Sequence, residues 1–473
     1  MLSHGGKREW RLPILACLVG SICIPYPAAA AFARPPPYLD SLLTQYSRDH
    51  APLTPYVAEL VSALRAMDAD LVNATSSILR AVGSRTVPVH PIGFSIPPEY
   101  VRAVVPAKGQ GLATVIPGAP ETYKYLPKPG AAPAELMALE RSYYADIERS
   151  YFGLTWKKAG WDCLRHLELL AAGCVPLFTD IGAAPRGAVA FLPNRVLCQV
   201  LRFPGVGALS GVPGFDGGAR NVVITPPQID PVLYSLTATA LLDYTRRHLT
   251  TPRMAAHLLS TMGIDPPYCR LATLDGDLTT ARRRRRRRRL AMRRLWTDDD
   301  DSSSSSPLTC PPLRVLYLTL AKDTNDYMAD TLAHGLVTLL GPAAVTQHHR
   351  RDVLYTTPLL LGEDVRASAR TSQYGFGFTY GNTLFDLRDA GAATSTTDVN
   401  DARLRQSIAN HGFDVVILSL IHRGPPPLMD AVCKAYPQAR VAAVYGHDWP
   451  PSERDLAEYA PCAGFYFARE AQQ

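Results

Sequence analysis

The sequence predicts an α/β fold in two lobes, and three observations predict it. The chain has 473 residues, too many for one ordinary hydrophobic core and enough for two. Short continuous apolar runs, such as Val-Pro-Leu-Phe at 175–178, alternate with segments in which apolar residues recur every three or four positions. A block of arginine, aspartate and serine at 279–310 separates two such regions and cannot itself bury apolar surface. With 47% hydrophobic and 19% charged residues, the composition supports sizeable cores and excludes a wholly disordered or fibrous chain.

At the N-terminus, Lys7, Arg8 and Arg11 precede an apolar stretch at 12–24, then Pro25, Pro27 and the alanines 28–31. That order predicts a signal peptide over 1–33, with an uncleaved anchor as the alternative. The apolar core is shorter than the roughly 20 residues of a spanning helix. Asn73-Ala74-Thr75 is then a usable glycosylation sequon. Residues 34–85 are expected to form an N-terminal helical segment.

The first lobe is expected over 86–278. Leu136, Leu139, Tyr143 and Ile147 predict a helix at 133–150, and a second helix is expected at 162–172. A buried strand follows at 175–178, then helices at 231–248 and 252–262. The second lobe is expected over 311–473, with strands at 313–318, 414–418 and 440–445 and helices at 326–340 and 427–436. Continuous apolar strands alternating with helices predict a parallel sheet covered on both faces, a Rossmann-like pattern. No G-x-G-x-x-G is present. The stretch Tyr374-Gly375-Phe376-Gly377-Phe378 lacks the third glycine, so no dinucleotide fingerprint is assigned.

The net charge is +7, and removing the eight charges of the arginine run 282–289 leaves −1. The basicity is local, which argues against a nucleic-acid-binding face. The nine cysteines form no CxxC and no zinc spacing, and seven remain beyond the first 33 residues, an odd number.

The chemistry concentrates between 150 and 178. Asp162 is expected to cap the following helix and Gly173 to end it in the left-handed conformation. Lys157, Lys158 and Arg165 gather positive charge beside a helix N-terminus, an arrangement suited to a phosphorylated ligand. Glu168, one turn further, could accept from a pair of sugar hydroxyls. The same spacing also reads as an ordinary Arg165–Glu168 surface pair.

The run Lys157-Lys158-Ala159-Gly160-Trp161-Asp162-Cys163-Leu164-Arg165-His166-Leu167-Glu168, continuing through Gly173-Cys174-Val175-Pro176, resembles the R-x-x-E … G-C-V-P pattern in the nucleotide-sugar lobe of exostosin-like and related GT-B glycosyltransferases. The resemblance implies a GT-B-like pair of lobes with 86–278 as the donor lobe, and Arg165 near the donor diphosphate with Glu168 near the ribose or sugar hydroxyls. The helices around Thr251-Pro252-Arg253-Met254-Ala255 are similar to the closing elements of such a lobe. The acceptor-type lobe, which precedes the donor lobe in that family, here follows it. Gly464-Phe465-Tyr466-Phe467-Ala468-Arg469-Glu470 reads like an interrupted lead-in to the stretch at 90–97, so the order resembles a circular permutant or the junction of two tandem copies.

Asp448 and His422 each follow a strand end in the second lobe, where α/β folds place ligands, and are the candidate catalytic residues. For each, a turn residue with satisfied local hydrogen bonds is the alternative. Asp275 and Asp277 have D-x-D spacing, but no metal is assigned because two carboxylates make a poor site alone. The expected function is transfer of a sugar from a nucleotide-diphosphate donor to a glycan or protein acceptor. No cofactor beyond the donor substrate is expected, and no nucleic-acid partner. Membrane contact is expected only through the N-terminal segment, and the location is the secretory pathway, ER or Golgi lumen, or outside the cell. Two alternatives stand beside it: a non-catalytic sugar-nucleotide or glycan binder of the same fold, and an interaction protein whose arginine run docks to acidic polysaccharide or membrane.

Overall fold

The structure, a computed structural model, describes residues 37–82, 84–115, 124–125, 133–185, 187–208, 222–264, 313–320, 326–351, 354–356, 384–385 and 401–471. The expected signal peptide or anchor, the linker at 279–310, the Tyr374–Phe378 stretch and the Asp275/Asp277 pair lie outside the described residues. Among the described residues no helix is long and apolar enough to cross a membrane.

The chain opens with helices α1 (Pro37–Asp49) and α2 (Pro55–Ala74). Thr54 starts α2, its hydroxyl accepting from the Val57 N–H, with Pro55 supplying a first helical residue that needs no donor. Asn73 of the sequon is exposed in the last turn. An antiparallel hairpin follows, β1 (Ile78–Val82) and β2 (Arg85–Pro91). The next unit comprises β3 (Gln110–Leu112), α3 (Pro133–Glu148), β4 (Ser150–Thr155), α4 (Leu164–Ala171) and β5 (Val175–Phe178). Its three strands form one parallel sheet, with α4 as the crossover between β4 and β5. Then come α5 (Asn194–Val200), an antiparallel pair β6 (Val206–Ala208) and β7 (Val222–Ile224), α6 (Pro231–His248) and α7 (Thr251–Thr261). Asp230 caps α6 through two backbone N–H groups.

The remaining elements are β8 (Val315–Leu318), α8 (Tyr327–Leu340), β9 (Val345–His348), a short parallel pair β10 (Tyr355–Thr356) and β11 (Leu384–Phe385), α9 (Asp401–Ala409), β12 (Val415–Leu418), α10 (Met429–Ala435), β13 (Val441–Tyr445), α11 (Glu453–Tyr459) and β14 (Phe465–Ala468). Asp326 caps α8, and Gly341 ends it at φ +86°. Ser452 and Asp455 form a reciprocal capping box on α11.

The architecture is thus α/β, with a seven-stranded and a three-stranded sheet, both mostly parallel. The large sheet has the order β1-β2-β14-β13-β12-β8-β9, and only the β1 edge is antiparallel. Strand β2, from the region of the first expected lobe, lies parallel to β14, with Tyr466, Phe467 and Ala468 opposite Val89, His90 and Pro91. The stretches 464–470 and 90–97 are therefore neighbours across a sheet.

Alternation along each central strand explains how the large sheet is buried on both faces. Val315, Tyr317, Val415, Ile417, Ala442 and Val444 face the core that also contains Met328, Leu332 and Leu336 of α8 and Phe152, Leu177 and Phe178 of the small sheet. Leu316, Leu318, Val416, Leu418, Val441 and Ala443 face a second core with Leu404 and Ile408 of α9, Val432 of α10, and Leu456 and Tyr459 of α11. The sheets are joined where α7 packs on α8. A Cβ on Gly335 of α8 would lie 2.1 Å from the Thr251 carbonyl oxygen, so glycine permits that approach. Cys433 of α10 and Cys462, just beyond α11, form a disulfide.

Candidate functional site

The site is built where strands of both sheets end. Strand β4 runs into the 156–163 turn, and the Lys157 N–H donates to both Asp180 oxygens, at 3.1 and 3.2 Å, just after β5. In the large sheet, β13 runs into Gly446-His447-Asp448-Trp449 and β14 into Arg469-Glu470. These carboxyl ends meet.

The junction is dense with directed contacts. Arg469 is buried; its Nη1 donates to the Asp162 carbonyl (2.7 Å), its Nε to the Gly446 carbonyl (3.1 Å), and its Nη2 pairs with Asp448. Its guanidinium also lies over the Phe94 ring, 4.6 Å from the centroid. Glu470 Oε1 accepts from the Trp161 N–H (2.7 Å) and the Asp162 N–H (3.0 Å). At Gly160 a Cβ would stand 2.8 Å from both Asp448 Oδ1 and Glu470 Oε1, so this position requires glycine for close approach. Burial pushes the Glu470 carboxyl up, opposed by the two N–H donors and Arg469.

Asp162 departs from expectation. Helix α4 begins at Leu164 with Cys163 at the cap position and no side-chain cap. The Asp162 carboxylate turns away and accepts from the Phe94 N–H at 2.7 Å. A long-range partner outcompetes the local one, because the stretch at 92–96 is itself held down by the Ile96 bonds to Leu249 and Thr251. Burial raises the Asp162 carboxyl, with Arg469 opposing it. Asp162, Arg469, Gly93 and Phe94 also line a small cavity with Phe191 and Leu192. The end of α4 follows expectation, with Gly173 at φ +64°.

Of the residues expected to bind a nucleotide sugar, Lys157 faces the junction. Its ammonium lies 5.4 Å from the Trp161 ring centroid and 5.5 Å from that of Trp449. Lys158 is exposed, and its ammonium is pushed down by partial burial and by the charge of nearby Arg165. The Arg165 Nε is buried and has no hydrogen-bond partner. Glu168 lies inside the protein: its carboxylate accepts from the Tyr143 hydroxyl at 2.6 Å and the Tyr144 hydroxyl at 3.3 Å. Burial raises the Glu168 carboxyl, opposed first by the Tyr143 bond. It ties α3 to α4, and the pair with Arg165 is not the surface pair its spacing allows.

His422 and Asp448 lie together in the large sheet's half of the junction. His422 Nδ1 accepts from the Gly446 N–H (3.2 Å), and Nε2 lies 3.4 Å from Arg423 Nε and 3.8 Å from Asp326. Burial, and then the Arg423 charge, holds its pKa down to about 3. A neutral imidazole has one acceptor nitrogen, and with Nδ1 accepting from the Gly446 N–H the ring offers a reacting hydroxyl no free lone pair. Asp448 is 40% exposed and has Oδ1 committed to Arg469.

Arg469, Glu470, Trp161, Trp449 and Asp180 were not expected at the site. The available signal was position, since each pair follows an apolar strand at its carboxyl end, but charge count gave no reason to prefer Arg469 among 49 basic residues.

A buried histidine on α4 yields a test of this packing. His166 Nε2 lies 3.0 Å from Thr155 Oγ1, its ring sits 4.5 Å from Phe178, and burial holds its pKa at about 3. Above about pH 6.5 the ring is neutral in both folded and unfolded chains. Below that, only the unfolded chain takes the proton, so stability falls between pH 6.5 and 3 by about 1.4 kcal/mol per pH unit for this group. Urea unfolding at pH 7, 6 and 5 is expected to show a shallower acid decline in His166→Phe than in the wild type. Equal slopes would place the ring in water.

The chain matches no protein-family model, and comparison with curated proteins and with solved structures finds no match.

Proposed function

We propose that the protein binds a nucleotide-diphosphate sugar where the carboxyl ends of the two sheets meet, and transfers the sugar to a glycan or protein acceptor. The observation that carries this reading is the convergence itself. Parallel α/β sheets bind ligands outside their strands' carboxyl ends, and here two such edges face each other across Lys157, Asp448 and Trp449. Arg165, beside Lys158, already meets the Tyr143 hydroxyl and the Glu168 charge, and its buried Nε, with no partner, is the donor left for an anionic group. The GT-B-like resemblance around Arg165 and Glu168 supplies the donor class, with two Rossmann-like lobes as the finer description of the fold. The diphosphate falls to Lys157, Lys158 and Arg165. Because two tyrosines hold Glu168, its part is to fix α4 rather than to meet the sugar. The Cys433–Cys462 disulfide supports a secretory location.

The second reading, binding without transfer, is favoured by one observation. Arg469 occupies one oxygen of Asp448, and the Gly446 N–H occupies the acceptor nitrogen of His422, so both candidate bases already have partners.

Calorimetric titration with UDP, GDP, ADP and their sugar conjugates tests both readings. One base is expected to bind, with Lys157→Met weakening it about tenfold, the loss of one exposed charge-assisted phosphate contact. Glu168→Gln, which keeps a carbonyl acceptor for Tyr143, is expected to leave that affinity nearly unchanged. No binding by any nucleotide would sink the reading. Nucleotide released from a bound conjugate only in the presence of a glycan would decide for transfer.

A further inference from the structure

We propose that Trp449 is a stacking platform for a pyranose ring of a saccharide acceptor, with Asp448 beside it to receive a ring hydroxyl. The inference rests on the reading of the junction as a sugar-transfer or sugar-binding site and names where the second ligand lies.

Among the described residues Trp449 is the largest of the exposed apolar side chains, 56% accessible, whereas the other tryptophan at the junction, Trp161, is buried. Its exposure is built in. Strand β13 fixes the chain before it, and Pro450 and Pro451 restrict the backbone after it. Ser452 then locks into the capping box of α11. A loop held at both ends presents the indole at little entropic cost, as a platform requires.

The surroundings select the ligand. The Lys157 ammonium lies 5.5 Å from the indole centroid, and Asp448, next in the chain, has one oxygen on Arg469 and no hydrogen bond at the other among the described residues. The ammonium lies over the ring, and an exposed indole with a carboxylate acceptor beside it matches a pyranose, whose C–H face is apolar and whose edge carries hydroxyls. A nucleobase fits less well. The charges assigned to its phosphates, Lys157, Lys158 and Arg165, all stem from the small sheet's side, whereas Trp449 stands on the loop from β13 across the junction; of the three, Lys157 reaches the indole.

The test uses the purified full chain on an array of neutral and acidic oligosaccharides, followed by titration of each bound glycan with tryptophan emission as the readout. Binding to a subset is expected, weakened tenfold or more in Trp449→Ala and largely kept in Trp449→Phe. Because the side chain is exposed, the thermal midpoint should not move. No glycan bound, or equal binding by Trp449→Ala, would overturn the inference, and loss of nucleotide affinity in that variant would make the indole a base platform instead. Glycan binding through Trp449 without any nucleotide binding would sink the donor reading and leave this one standing. Nucleotide binding without glycan binding would do the reverse.

Discussion

Replacing Arg469 by methionine is expected to destabilise the protein by about 3–5 kcal/mol, the cost of removing one partner from a buried ionic network. Methionine fills much of the volume but donates nothing. The carbonyls of Asp162 and Gly446 lose their donor, and the Asp162 and Glu470 carboxyls lose a cation that opposes their burial. Lysine should not rescue it, because a single ammonium cannot reach two carbonyls and a carboxylate in the directions the guanidinium does. The deficit has a sign with pH. With the cation gone, both carboxyls rise further above their unfolded values, so the folded variant holds protons that the unfolded chain releases. The deficit relative to the wild type therefore narrows as pH falls from 7 toward the unfolded carboxyl range at about 4. Urea midpoints of the wild type, Arg469→Met and Arg469→Lys at the two pH values measure this. A methionine variant within about 1 kcal/mol of wild type would mean that the 160–162 turn and the 469–470 segment do not depend on each other.

Gly335→Ala is expected to destabilise by about 2–3 kcal/mol, against the direction that helix propensity gives. In an isolated helix the change stabilises by about 1 kcal/mol. Here the added methyl would meet the Thr251 carbonyl, which is backbone and cannot swing aside, so α7 and α8 must separate. That separation also stretches the bond between Thr251 Oγ1 and His334 Nδ1, now 2.7 Å. Since this contact joins the two sheets, the substitution should also weaken nucleotide binding at the junction. Thermal unfolding and one titration suffice, and a stabilised variant would refute the close helix contact.

Both effects concern residues whose importance the sequence only partly discloses. Helix α6 is legible to the residue, since Pro231 follows a capping Asp230 and apolar residues keep their period to His248. Strands β5, β8, β12 and β13 are legible because continuous apolar runs of this length have few other uses. The small strands β6, β7, β10 and β11 carry no such signal. Lys157 was legible as a cation beside a helix N-terminus, and Asp448 as an acid after a strand. Their meeting was not, since nothing local to 157 or 448 encodes a neighbour almost 300 residues away. Asp162 shows the limit most clearly. Local rules make it a helix cap, and a backbone N–H at position 94 takes its carboxylate instead.

The parallel pairing of β2 with β14 also sets an order for biosynthesis. The hairpin that holds Val89 leaves the ribosome well before its partner Tyr466, which lies 466 − 89 = 377 residues further along. At ribosomal speeds of about 5–20 residues per second, that interval is roughly 20–75 s. Throughout it the inner edge of β2 carries unpaired N–H and C=O groups, a template for any passing strand. During that interval the 85–91 edge is open to pairing with another strand, a hazard that closes when β14 docks against it.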